Sequence, residues 1–296
     1  MKPASSSPRS LIVIGVASCA GAPDLGCAEG PDALRHYMTF HDTPLQRVEW
    51  DAILRVPRAL QDTPLHAVAS LNIRLAAEVA TVLRAGNFPL VVGGDHSCAI
   101  GTWSGVHRVL ANQGPLGLIW IDAHMDSHTF ATSPSGQIHG MPLACLLGHG
   151  DAVLTTIDGA EAKLRPEHVC LIGVRSFEAG EAALLHQLGV RVFDMEEIHR
   201  RGLAEVFDEA LTIVRHGTAG FGVSVDLDAL DPTEEPGVGS PVPGGLRRAD
   251  LAEALTRLRG DPSFVAMEIA EYNPRRDHNH ATADAAGDLV KAVIPL

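Results

Sequence analysis

Residues 116–128 read LGLIWIDAHMDSH, and this stretch decides the fold. The first six, Leu116–Ile121, carry no charge and are too few for a helix, so they read as a strand buried on both faces. The run stops at Asp122, and His124 and Asp126 follow at intervals of two. In extended backbone, side chains two apart point the same way. In open parallel sheets, ligands bind beyond the carboxyl ends of the strands. A buried strand that ends in three ligand-type residues therefore predicts a parallel sheet with a site at its edge.

The rest of the chain repeats this grammar. Further strands are expected at Leu11–Val16, Leu90–Val92, Val169–Ile172, Val190–Phe193, Phe221–Val225 and Phe264–Ile269. Helical patterns lie between them: His66–Ala85, Glu178–Leu188, Leu203–His216 and Ala249–Arg259, each followed by glycine, and a last one near Thr282–Val293. Alternating strands and helices predict a three-layer α/β/α fold with a parallel central sheet. No linker or repeat divides the chain, so residues 11–296 are expected to form one catalytic domain and residues 1–10 a flexible tail. The start could pass for a secretory or lipoprotein signal, with Val16-Ala17-Ser18-Cys19 as the cleavage site. Its apolar run is at the lower limit for one, which favours a first strand. Two loops are long for a compact domain, Ala123–His139 and Asp231–Leu246, and long loops are usually functional.

Composition narrows the function. With 23 Lys plus Arg against 36 Asp plus Glu, the net charge is −13, which argues against nucleic acid or an anionic membrane as partner. No run is long enough to span a membrane. The five cysteines form no CxxC pair, which fits a reduced, cytoplasmic protein rather than a disulfide framework. They read as small buried hydrophobes, with no nucleophile–base arrangement around them.

Four strands deliver chemistry to the same edge. Gly93-Gly94-Asp95-His96-Ser97, Asp122-Ala123-His124-Met125-Asp126, Asp226-Leu227-Asp228 and Ala270-Glu271 each follow an apolar run. Asp95, between glycine and histidine, reads as structural, and Asp231-Pro232 as a turn. Crowding Asp122, Asp126, Asp226 and Asp228 together without cations is unfavourable, because like charges raise one another's pKa. Four carboxylates with His96 and His124 exceed one closed zinc site and suit a pair of ions. Oxygen-rich ligation without thiolate points to two Mn²⁺, with Co²⁺, Ni²⁺ or Fe²⁺ as alternatives. Such a pair can share and activate a water.

These motifs, with Glu29–Arg35, SPSGQIHG at 133–140 and EIAEYNP at 268–274, resemble the ureohydrolase (arginase–agmatinase) family over nearly the whole chain. The resemblance implies that His96, Asp122, His124, Asp126, Asp226 and Asp228 hold a binuclear manganese centre. It implies that a metal-bridging hydroxide attacks a guanidinium carbon, that Glu271 pairs with the guanidinium, that Asp126 orients the hydroxide, and that His139 passes a proton to the leaving amine. Within the family, His128, Ser135 and Glu178 fall where the amino-acid end of the substrate binds. His128 stands where asparagine is common, and Glu178 where aspartate is, with Glu181 in register behind it. This pairing fits L-arginine, giving L-ornithine and urea. Agmatine, another guanidino acid and formiminoglutamate are the alternatives. The family also implies a homo-oligomer, trimer or hexamer. A single-zinc deacetylase-like amidohydrolase would need fewer ligands, and a non-enzymatic relative would not need the full set.

Overall fold

A computed structural model describes residues 9–40 and 48–294. Most of the expected tail, residues 1–8, lies outside the described residues. In chain order the described elements are β1 (Leu11–Ala17), α1 (Gly30–Phe40), β2 (Glu49–Arg55), α2 (Pro64–Arg84), β3 (Phe88–Gly93), α3 (Ala99–Leu110), β4 (Leu116–Ile121), α4 (Pro142–Leu146), α5 (Ala152–Thr155), β5 (Val169–Val174), α6 (Ala179–Leu188), β6 (Arg191–Asp194), α7 (Met195–Arg201), α8 (Leu203–Arg215), β7 (Gly220–Asp226), α9 (Arg248–Leu255), β8 (Phe264–Ala270) and α10 (Ala281–Val293).

The eight strands form one sheet in the order β2-β1-β3-β8-β7-β4-β5-β6, and every pairing is parallel. Alternation along each strand divides the core. Leu116, Leu118 and Trp120 of β4 pack with Leu75 of α2, Trp103 of α3, Leu143 of α4 and Leu185 of α6. Ile119 and Ile121 point the other way, into a cluster with Leu34, Ile198, Phe207, Leu255 and Leu289 of α1, α7, α8, α9 and α10. Both faces of the sheet are therefore covered, as continuous apolar strands require. The result is the expected three-layer fold in a single domain.

The structure differs from the sequence expectation at several elements. Strand β2 was not foreseen, because EWDAILR alternates instead of running apolar and exposes Glu49, Asp51 and Arg55. It sits at the sheet edge, where charged side chains discourage pairing with another chain. Helix α3 was also missed, because its glycines weaken a helical reading. They serve packing instead: a Cβ on Gly101 would fall 2.7 Å from the Asn72 carbonyl oxygen, and one on Gly105 2.6 Å from that of Ala76. Only glycine lets α3 lie this close to α2. Helix α9 ends at Leu255 and tightens into a 3₁₀ turn, Thr256–Leu258, short of the expected Arg259. Glu178 caps α6 from outside it, and Gly189 ends the helix at φ 76°.

Among the described residues, no helix is long and apolar enough to cross a membrane.

Candidate metal centre

The middle four strands, β3, β8, β7 and β4, are neighbours, and their carboxyl ends carry the four segments singled out above. Two groups of potential ligands form there and share Asp122: His96, Asp122, Asp126 and Asp226, and Asp122, His124 and Asp228. His96 Nδ1 lies 3.3 Å from Asp122 Oδ2, 3.1 Å from Asp126 Oδ2 and 3.1 Å from Asp226 Oδ2. His124 Nδ1 lies 3.4 Å from Asp122 Oδ1 and 3.2 Å from Asp228 Oδ2. All six expected ligands thus converge.

Backbone donors hold several of these carboxylates. Asp122 Oδ1 accepts from the His124 N–H at 2.7 Å, and Asp226 Oδ1 from the Asp228 N–H at 2.8 Å. Trp120 Nε1 donates to Asp122 Oδ2 at 2.8 Å. Asp126 and Glu271 adopt left-handed backbone, at φ 48° and 67°. Such conformations in non-glycine residues cluster at functional sites.

The donor set fits cations. His96 Nδ1 and Asp126 Oδ2 are fully buried without a hydrogen-bond partner. On the far side of the ring, His96 Nε2 lies 2.9 Å from Ser224 Oγ, and that hydroxyl donates to Glu268 Oε1 at 2.8 Å. Ser224 therefore accepts from Nε2–H, which leaves Nδ1 to present either a lone pair to a cation or a proton to the carboxylates. Burial alone pulls the His96 pKa down, yet Asp122, Asp126 and Asp226 hold it well above its ordinary value. Burial and the charge of Asp122 push Asp126 up to about 7. Burial and the charges of Asp228 and Asp122 raise Asp226 well above the carboxylate range. Divalent cations bound here would relieve this repulsion and satisfy the orphaned atoms.

His139 and Glu271 stand beside the cluster. Glu271 Oε1 accepts from the His96 N–H at 2.9 Å and lies 3.1 Å from His139 Nδ1. Burial lowers the His139 pKa, but the Glu271 hydrogen bond and charge outweigh it and push it up to about 9. His139 lines a cavity of about 170 Å³ that also meets His124, Asp126, Asp226 and Asp228. Glu271 is buried and is absent from that lining. At the rim stand His128, Ser135 and Glu178, the three residues assigned to the amino-acid end of the substrate. His128 Nε2 is 2.9 Å from Glu178 Oε2, a contact the sequence did not reveal. A larger groove of about 830 Å³ lies against Leu25, Leu65, Phe130 and Ile138, away from the ligand cluster.

Asp95 is structural, as expected: it caps the turn at His96–Cys98 through the Ser97 N–H at 3.0 Å and accepts from the Gly21 N–H at 2.9 Å. Asp231 is a loop anchor, accepting from the N–H groups of Thr233, Gly244 and Gly245 at 2.7–2.9 Å. Sequence reasoning missed Glu268 and Arg175. Glu268 is fully buried and also accepts from Thr102 Oγ1. Its signal was a lone acid inside the apolar strand FVAMEIA. Arg175 donates to the carbonyls of Asp228 and Val242, both at 2.7 Å, and so ties down the loop after β7.

Comparison with known proteins agrees with this geometry. The Arginase family model matches residues 9–294. An arginase from Bacillus caldovelox is 40% identical over 299 residues, covering 95% of this chain and 97% of that one. The crystal structure of arginase from Bacillus subtilis superposes with a TM-score of 0.88 at 37% identity, covering 96% and 98% of the two chains. That of Entamoeba histolytica arginase, in complex with L-ornithine, gives 0.85 at 28% identity, with the same coverage. The parallel sheet, the ligand cluster at its centre and the full-length match lead to one conclusion: the chain belongs to the arginase family and is a ureohydrolase, a hydrolase of C–N bonds.

Proposed function

We propose that this chain hydrolyses L-arginine to L-ornithine and urea with two Mn²⁺ ions. The observation that carries the reading is the pair of ligand groups sharing Asp122, at the floor of a cavity whose rim bears an acid. His96, Asp122, Asp126 and Asp226 would hold one ion, and Asp122, His124 and Asp228 the other. When bound, the ions supply Lewis acidity and bring the pKa of a water toward neutrality. The relatives support the substrate, since they are named arginases and one was solved with L-ornithine.

The chain's own residues do the rest. Asp126 orients the attacking water. Glu271 has lone pairs left beside those given to His96 and His139, and a carboxylate matches the planar guanidinium. His139, with its pKa near 9, is protonated at neutral pH and gives that proton to the leaving amine nitrogen. His128, Ser135 and Glu178 bind the amino-acid end. Residues 11–296 act as one catalytic domain. The reading is completed by a cytoplasmic homo-oligomer, trimer or hexamer; free cysteines at 19, 27, 98, 145 and 170 fit a reducing compartment.

The test is urea release from L-arginine by Mn²⁺-loaded protein, with metal counting. Two ions per chain are expected. His124→Ala and Asp226→Ala should each lower turnover by more than the ~10²–10³-fold lost with a single electrostatic donor. Retained activity in both variants would overturn the site. Formamide release from formiminoglutamate without urea from arginine would overturn the substrate.

A further inference from the structure

The ligands Asp122, His124 and Asp228 sit on two loops, and one residue of a third loop binds the backbone of both. Arg175 follows β5. Its own N–H and that of Ser176 donate to the Ala123 carbonyl, at 2.9 and 3.0 Å, between Asp122 and His124. Its side chain turns to the loop after β7. Nη2 donates to the carbonyls of Asp228 at 2.7 Å and Leu230 at 3.2 Å, and Nη1 to that of Ala229 at 3.2 Å. Nη2 and Nε share the Val242 carbonyl, at 2.7 and 3.2 Å, and Nη1 also reaches the carbonyl of Gly173 at 3.2 Å. Every nitrogen of the guanidinium is engaged, and each of these partners is a main-chain carbonyl.

Asp228, Asp122, Asp231 and Asp226 are near enough to act on this charge, yet the fork bonds to carbonyls instead. A cation placed to neutralise the cluster would pair with a carboxylate. One placed to shape backbone spreads its rigid fork of donors over several acceptors, which a lysine cannot do. The joint is closed by neighbouring bonds: the Ala123 N–H donates to Asp228 Oδ1 at 3.3 Å, and the Leu246 N–H to the Ala229 carbonyl at 2.9 Å. The remaining ligands are held elsewhere. His96 is fixed through Ser224, Asp226 ends β7 in register with Ala270 of β8, and the Asp126 carbonyl accepts from the Leu143 N–H at 2.9 Å. Among the described residues, Arg175 makes no hydrogen bond to these three.

We propose that Arg175 is a positioning residue that sets the backbone of one ligand group, Asp122, His124 and Asp228, before any cation binds, and that it does so by the shape of its guanidinium rather than by its charge. The inference rests on the two-ion reading above and adds an asymmetry to it. The affinity of one ion depends on Arg175, and that of the other does not.

The test is Mn²⁺ binding to metal-stripped protein by equilibrium dialysis, which needs no turnover. Wild type should take two ions. Arg175→Lys keeps the charge and loses the fork. It should weaken one binding step by about 10–100-fold and leave the other within about 2–3-fold. In a His124→Ala background, where the ion of the tied group is lost, Arg175→Lys should leave the affinity of the remaining ion unchanged. Equal weakening of both steps, or weakening of the ion that survives in His124→Ala, is what a merely structural residue gives, and it overturns the proposal. Wild-type affinity in Arg175→Lys overturns it too, since charge alone would then suffice. Fewer than two ions on wild type would overturn the two-ion reading and the proposal with it, whereas two ions with no asymmetry strike the proposal alone. Hydrogen exchange on wild type gives a second measurement that does not depend on a variant that folds. The N–H of Asp231, bonded to the Leu246 carbonyl, and that of Leu246 should be equally protected with and without Mn²⁺. Protection that appears only with Mn²⁺ would show that the ion, and not Arg175, sets this backbone.

Discussion

Two clusters of charge in this molecule solve opposite problems. At the centre of the sheet edge, four aspartates and two histidines meet in near-complete burial, and the acids push one another's pKa values upward. On the surface beside β6, Arg191, Arg201, Glu197, Glu205 and Glu209 alternate in sign. Arg191 Nη2 lies 2.5 Å from Glu197 Oε1, and Arg201 lies 2.6 Å from both Glu197 Oε1 and Glu209 Oε2. The surface set comes within one charge of neutralising itself, two arginines against three glutamates. The buried set does not, and that imbalance is what a cation-dependent site looks like before its cations are counted. Charge density alone does not distinguish a site from a solvated network; burial and the sign of the neighbours do.

Removing the metal should break the contrast most sharply. With ions at a thousandfold excess over Kd, binding to the folded state contributes on the order of 4 kcal/mol. Chelation should therefore lower Tm by roughly 10 °C, at ~2–4 °C per kcal/mol for a chain of this size class or somewhat above it. An unchanged Tm in scanning calorimetry, with ions shown to have been removed, would mean that the buried cluster does not depend on them.

The next effect concerns what stands behind the ligands. Glu268→Gln weakens the chain from Glu268 through Ser224 to His96. Metal affinity should fall about 10–100-fold, the usual cost of losing a group that orients a ligand. Titration of metal-free protein with Mn²⁺ measures it, and unchanged affinity would sever the chain.

A smaller effect runs in the opposite direction. In metal-free protein, Asp226→Asn removes one of the mutually repelling charges while keeping an acceptor for the Asp228 N–H. Chelated Asp226→Asn should be more stable than chelated wild type by about 1 kcal/mol, near the value of one pKa unit. Denaturant midpoints compare the two, and a destabilised variant would show that repulsion is not what strains the empty cluster.

The smallest effect belongs to the surface network. Arg191, and then Arg201, hold the Glu197 carboxyl down to about 2 from an ordinary 4.5. Because the folded state binds this proton less readily than the unfolded one, its stabilisation is present above pH 4.5. It is lost as pH falls through 2. Glu197→Gln should cost less than about 1 kcal/mol at neutral pH and flatten the acid limb of the stability curve between those values. A variant with an unaltered acid limb would remove Glu197 from the account.

Much of this was legible along the chain. Seven of the eight strands announce themselves as short apolar runs, because a parallel sheet buries both faces. The ligands announce themselves as charge at the ends of those runs. Strand β2 stayed hidden because an edge strand needs no continuous apolar run. Glu268 and Ser224 stayed hidden because their partner, His96, is more than a hundred residues away in sequence. His128 could be placed near the site from its distance to Asp126, but not paired with Glu178, which arrives on a different βα connection fifty residues later.

The sequence by itself determined the layer architecture and which candidate ligands meet at the sheet edge, since both follow from local periodicity and the residue that ends each run. Tertiary structure alone decided how those groups share their oxygens and protons. Asp122 is common to two ligand groups, His96 is fixed through Ser224, and Glu271 turns to His139. It also decided that His128 spends both ring nitrogens on neighbours. The reason is the parallel topology, in which adjacent strands come from distant stretches of chain. Hydrogen-bond partners at the sheet edge are therefore set by strand order, which no local pattern encodes.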